Sequence, residues 1–133
     1  MSIVEAIRNV PELYHVKGCT DQQILEAEKD LNLKFSKEYI DYVKEFGAIS
    51  FYGTEWTGLN IDGYLNVVQS TKQERDLNVS FPKDCYVIEN EGIDGIIIAS
   101  NENGTIYSIH YENVEKICNS LSEYLAECLK RSK

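Results

Sequence analysis

Two stretches of helical periodicity open the chain. Ile24, Ala27 and Leu31 recur at helical spacing, with Glu26, Glu28, Lys29 and Asp30 mostly on the outer side. Ahead of them, Thr20-Asp21-Gln22-Gln23 reads as a capping box: the Thr20 hydroxyl takes the amide three residues on, and Gln23 reaches back to the Thr20 amide. Asn32 closes this helix, and Leu33 and Phe35 lead the chain back to the core. Ser36 then caps a second helix with Glu38 in its first turn, where the helix dipole favours a carboxylate. Its apolar stripe is Tyr39, Ile40, Val43 and Phe46, and Gly47 is suited to end it. The first fifteen residues, with Pro11, read as a short helix or a loosely held arm.

The pattern shortens after Gly47. Asp62-Gly63, Asp94-Gly95 and Asn103-Gly104 are dipeptides that tolerate positive φ, as tight hairpin turns require. Between them the sequence predicts strands at Leu59 to Ile61, Tyr64 to Val68, Tyr86 to Glu89, Ile96 to Ala99 and Thr105 to Ile109. Ile96-Ile97-Ile98-Ala99 has no polar alternation, which predicts a central strand covered on both faces. Ser70 to Asn78 predicts a short helix, ended before Phe81-Pro82. Val114, Ile117, Leu121, Leu125, Cys128 and Leu129 then form a helical stripe beside Tyr124, with Lys130, Arg131 and Lys133 at its carbonyl end. Helices, then strands, then a helix predict one α+β domain over 1–133. Two N-terminal helices precede a mostly antiparallel central sheet, and a C-terminal helix packs on that sheet. A chain of 133 residues buries a real core without a disulfide or metal staple.

Charge changes the picture more than composition does. The net charge is -9, from 22 acids and 13 bases, and such a surface repels nucleic-acid backbones while attracting a basic protein. The acidity is uneven: residues 76–115 hold eight acids and a single base, Lys83, and residues 45–71 hold no Lys or Arg at all. Carboxylates at strand ends and turns in these stretches are the candidate contact residues: Glu55, Asp62, Glu89, Glu91, Asp94 and Glu102. Trp56, the only tryptophan, joins them as a contact anchor, with a place in the core as the competing and stronger reading. Nine tyrosines also suit an interface, since each supplies area and a hydroxyl at low entropy cost.

Catalytic chemistry has little support. Cys19 with His15, or Cys85 with His110, would be the nucleophilic pairs, and neither sits in a supporting motif. Neither a Gly-x-Ser-x-Gly elbow nor a phosphate-binding glycine loop occurs, and no close Cys or His pairs suggest zinc. Asn101 to Gly104 lacks the acidic spacing of a calcium loop and reads as a hairpin turn. The expectation is a protein without catalytic residues, metal or cofactor. The start of the chain lacks the features of a signal peptide and no stretch is apolar enough for a membrane span, so the expected setting is the cytoplasm with four reduced cysteines acting as small core residues.

The stretch from about Thr20 to Leu125 resembles the SUKH superfamily, which includes bacterial immunity proteins and relatives of a yeast cell-wall-synthesis regulator. Gln23-Ile24-Leu25-Glu26-Ala27-Glu28 followed by Leu31-Asn32-Leu33 is similar to the opening helix of that family. Tyr39, Val43, Phe46 and Gly47 match its second helix and glycine stop. Val67-Val68, Tyr86-Val87-Ile88, Asp94-Gly95 and Gly104-Thr105-Ile106-Tyr107 are similar to its later strands and turns, and Leu121-Ser122-Glu123-Tyr124-Leu125 to its terminal helix. Phe35-Ser36 stands where the family often has Leu-Pro, and Phe46-Gly47 where it often has Asn-Gly. The resemblance implies a non-catalytic antitoxin that binds a cognate toxin, often a nuclease, or else a regulatory scaffold. A nuclease is basic where it grips its substrate, so an acidic surface fits the first role on charge alone. The expected partner is therefore a basic toxin protein, with no nucleic acid or membrane contacted directly.

Overall fold

Ser2, Thr20 and Ser36 each turn the chain into a helix in the same way. The hydroxyl oxygen accepts the N–H of the residue three further on, Glu5, Gln23 and Tyr39, at 3.1, 3.2 and 3.3 Å. The resulting helices are α1 (Ile3–Arg8), α2 (Asp21–Leu31) and α3 (Lys37–Phe46). The computed structural model describes residues 1–92 and 95–131. The capping box at Thr20 is complete, with Gln23 Oε1 accepting the Thr20 N–H at 2.9 Å, and Asn32 closes α2 in the left-handed conformation. The apolar stripes of both helices are buried as expected except at the half-buried Ile40, and Tyr42 joins them with no exposure.

Two antiparallel sheets follow from the rest of the chain. The smaller pairs β1 (Tyr14–His15), β2 (Ile49–Phe51) and β3 (Thr54–Trp56) in that order. The larger runs β4 (Tyr86–Asn90), β5 (Ile96–Ser100), β6 (Ile106–His110) and β7 (Asn113–Cys118). Between the sheets lie a short 3-10 turn at Gly63–Leu65 and α4 (Val67–Leu77), and α5 (Leu121–Arg131) closes the fold. The α+β class, the two early helices and the terminal helix stand as the sequence predicts.

The sheets meet at Thr57. Its N–H donates to the Ile88 carbonyl at 2.8 Å, and its hydroxyl donates to the Val87 carbonyl at 2.7 Å. Around that seam the aromatic centre of the core forms from Trp56, Tyr39, Tyr42, Tyr86 and Phe35. Ile98 and Ile106 face this core, while Ile97, Ala99 and Ile109 face a second, smaller cluster capped by Phe81 and Cys85. β5 is therefore buried on both sides, as its unbroken apolar run implies.

Four elements differ from the sequence reading, each for a local reason. Tyr64 to Val68 is no strand: the Asn66 side chain accepts the N–H groups of Val68 and Gln69 at 2.9 and 3.1 Å and starts α4 there, despite two valines. Leu59 to Ile61 is irregular, held by a bridge between Gly58 and Asn66. Val114 and Ile117 sit in the exposed edge strand β7 instead of the terminal helix, whose buried face starts at Leu121. The hairpin β2–β3 was missed because its turn is Tyr52-Gly53, both at positive φ as a type I′ turn demands, where an Asx-Gly pair would have announced it. Among the predicted turns, Gly104 at φ 92° lies between β5 and β6, Gly63 opens the 3-10 turn, and Asp94 of Asp94-Gly95 lies outside the described residues.

Candidate protein-binding surface

Strand alternation decides which side chains of the small sheet face outward. Ile49, Phe51, Thr54 and Trp56 point into the core, while the register places Tyr14, Ser50 and Glu55 in one row on the other face. Tyr14 is 74% exposed. Tyr64, carried by the 3-10 turn, sets its hydroxyl 3.0 Å from both oxygens of Glu55. That contact pushes the Tyr64 hydroxyl above its ordinary range, because its anion would face a carboxylate. Tyr52 at the hairpin tip is exposed as well, but of the three exposed tyrosines only Tyr64 meets Glu55.

Beside this face runs a groove of about 460 Å³ between the β2–β3 hairpin, α4 and the end of β4. Four carboxylates line it: Glu55, Glu74, Glu89 and Glu91. They are not equivalent. Glu89 is buried, its carboxylate held by the Tyr124 hydroxyl and by Arg131 Nη2 at 3.2 Å. Burial raises the Glu89 carboxyl above the usual range, while Tyr124 and Arg131 pull it back. Glu91 receives Arg131 Nη1 at 3.0 Å. Glu74 has no hydrogen-bond or ion-pair partner among the described residues, and partial burial raises it as well. The free negative charge of the groove is thus on Glu74, with Glu55 answered only by a neutral hydroxyl.

The structure brings together some of the sequence candidates and separates others. Glu55, Glu89 and Glu91 converge on this groove. Trp56 is fully buried, edge-on to Tyr42 and stacked against Tyr124 at centroid distances of 5.4 and 6.0 Å, so it is a core residue and offers no contact surface. Glu89 is likewise floor, being 5% exposed. Asp62 borders a second acidic groove with Glu26 and Asp30 between α2 and α4. Glu102 lies elsewhere, where it accepts the Lys34 N–H at 3.0 Å. Asp94 lies outside the described residues. The idea that Glu89 and Glu91 lack countercharge also needs correction, since Arg131 supplies it from 40 residues further along the chain. Glu74, Tyr14, Tyr52 and Tyr64 were missed; only the overall tyrosine count hinted at them.

The four cysteines are buried and none is in a disulfide, and burial pushes Cys85 up to about 12. A thiol so reluctant to ionise is a poor nucleophile. Among the described residues no three His, Cys, Asp or Glu side chains are placed to hold a metal ion.

The exposed chemistry of this face is carboxylate and tyrosine. Residues 1–130 match the family model described as SMI1-KNR4 cell-wall, SUKH_5, and the chain belongs to the SUKH superfamily. The match takes in α1 as well as the stretch from which the resemblance was read. Members of this superfamily bind partner proteins and are in general non-catalytic. No curated protein shows significant similarity to the chain. No helix among the described residues is long and apolar enough to cross a membrane.

Proposed function

We propose that this protein is an immunity protein of the cytoplasm. It binds a cognate polymorphic toxin, basic and of the nuclease type, and blocks it without chemistry. The observation that carries the reading is the groove in which the Glu74 carboxylate stands unpaired beside Glu55 and Glu91, with the exposed Tyr64 on its wall. A cationic toxin face would be steered to this charge, and its arginines would lie against the tyrosine rings while meeting the carboxylates. Asp94 remains a candidate on charge alone, and Asp62 and Glu102 would at most act at a distance.

The description of the matched family, SMI1-KNR4 cell-wall, supports a second reading: a regulatory scaffold for a cellular protein. Co-expression separates the two. An immunity protein rescues cells from the toxin domain encoded beside it, and the double substitution Glu55→Lys with Glu74→Lys abolishes rescue, while Glu26→Lys with Asp30→Lys in the second acidic groove preserves it. Absence of a neighbouring toxin gene, or rescue unaffected by the first pair, contradicts the proposal.

A further inference from the structure

On the other flank of α4 the chemistry reverses. A groove of about 500 Å³ is floored by Leu31 and Phe81 and walled by Val79, Asn78, Arg75 and Lys83. No carboxylate lines it, in a chain with 22 of them. Arg75 makes one hydrogen bond, from Nη2 to the Lys83 carbonyl at 3.1 Å, and its Nε is buried without an acceptor. Neither Arg75 nor Lys83 has an ion-pair partner among the described residues. The apolar surface extends past the groove. Val79 is completely exposed and Leu77 is 72% exposed, and Asn78 between them is held by donating to the Tyr111 carbonyl at 2.8 Å.

We propose that this groove is a second docking site, and that its occupant is a partner-protein segment in which an acidic side chain adjoins apolar ones. The apolar residues would cover Leu77 and Val79, removing exposed apolar side chains from water, and would rest on the buried Phe81 and Leu31 of the floor. The carboxylate would answer Arg75 and Lys83, two cations that share one groove with no carboxylate in its lining. The site is distinct from the acidic groove, because the two share no lining residue and the consecutive Glu74 and Arg75 diverge around the helix, one into each. One protein would thus hold a cationic surface on one side and an acidic apolar segment on the other.

Titration of the isotope-labelled full chain with acetyl-Leu-Phe-Glu-amide and its Gln counterpart, followed by amide NMR, tests this. The Glu peptide should give saturable shifts at Asn78, Val79, Phe81 and Lys83 and bind about fivefold more tightly than the Gln peptide, the margin of a charged over a neutral acceptor. Lys83→Ala, at an exposed position, should equalise the two peptides, and Val79→Ser should weaken both; the spectra themselves report whether each variant is folded. Equal affinity for the two peptides, shifts mapping elsewhere, or no saturable shift overturns the proposal. Stronger shifts with inorganic phosphate than with the Glu peptide also overturn it, by assigning the cations to a phosphate.

Discussion

Arg131 in the last turn of α5 reaches across to Glu89 of β4, its Nη2 lying 3.2 and 3.3 Å from the two carboxylate oxygens. The same guanidinium bonds Glu91 and the Thr54 hydroxyl and lies over the Tyr124 ring at 5.9 Å. It therefore ties the terminal helix to both sheets, beyond the favourable placement of a cation at a helix end. Removing it leaves a buried carboxylate without its cation, which is costlier than the pair's net worth. Because Arg131 is 42% exposed, water takes over part of its role. Arg131→Ala should cost about 1–3 kcal/mol at neutral pH.

The pH dependence of that loss has a definite sign. The Glu89 carboxyl is already raised in the fold, so its contribution is full below the unfolded carboxyl range and declines as pH rises through the folded value. Without Arg131 the carboxyl rises further, so the deficit of the variant should shrink as the pH is lowered from 7 toward 5. Urea unfolding of both proteins at the two pH values checks this. A deficit that grows on acidification would contradict the assignment.

Thr57 is a polar seam inside an apolar core. Its hydroxyl donates to the Val87 carbonyl and pairs with the Tyr39 hydroxyl at 2.9 Å. Thr57→Val keeps the shape and removes both contacts, orphaning two buried groups, and should cost about 2–4 kcal/mol. Thr57→Ser keeps the hydroxyl and should recover most of that loss in the same unfolding measurement.

Gly58 lies against the backbone of Gly47, and an added Cβ would fall 1.7 Å from the Gly47 carbonyl oxygen. That oxygen also accepts the Leu59 N–H at 3.0 Å, so it is held in place. Gly58→Ala should therefore destabilise by several kcal/mol or leave the chain insoluble, the result of overpacking against rigid backbone. Gly53→Ala meets nothing within 4 Å and should show only the strain of positive φ in thermal unfolding.

The thiols give a probe of core integrity. Burial pushes Cys85 up to about 12 and Cys128 up to about 11, and all four cysteines are buried. A disulfide-exchange reagent at mildly alkaline pH should label the native protein slowly and all four thiols at once in denaturant. Fast native labelling of Cys85 or Cys128 would contradict this packing.

The helices were legible because their signals are local. Thr20 with Gln23, Ser36, Asn32 and Gly47 mark helix ends in the sequence and act there in the structure. β4, β5 and β6 were legible from apolar runs. The small sheet was not, because its strands span two or three residues and its turn uses Tyr52 in a conformation that Asn usually adopts. β7 misled because an edge strand exposed at Asn113 to Ile117 carries no burial pattern, and Val114 and Ile117 happen to extend the stripe of α5. The acidic surface was legible as an imbalance of charge, but its focus was not. Which carboxylates meet, and which Arg131 neutralises, depends on contacts across 40 and more residues.

The groove at Glu55, Glu74 and Glu91 is the proposed receiving surface for a cationic protein. The most direct measurement is the association rate with the proposed toxin partner, taken from about 0.01 M to about 1 M salt. The rate should fall steeply with salt, and a Glu55→Lys, Glu74→Lys variant should be slowed about tenfold or more at low salt with a flatter salt dependence. A rate indifferent to salt, or unchanged in that variant, would contradict it.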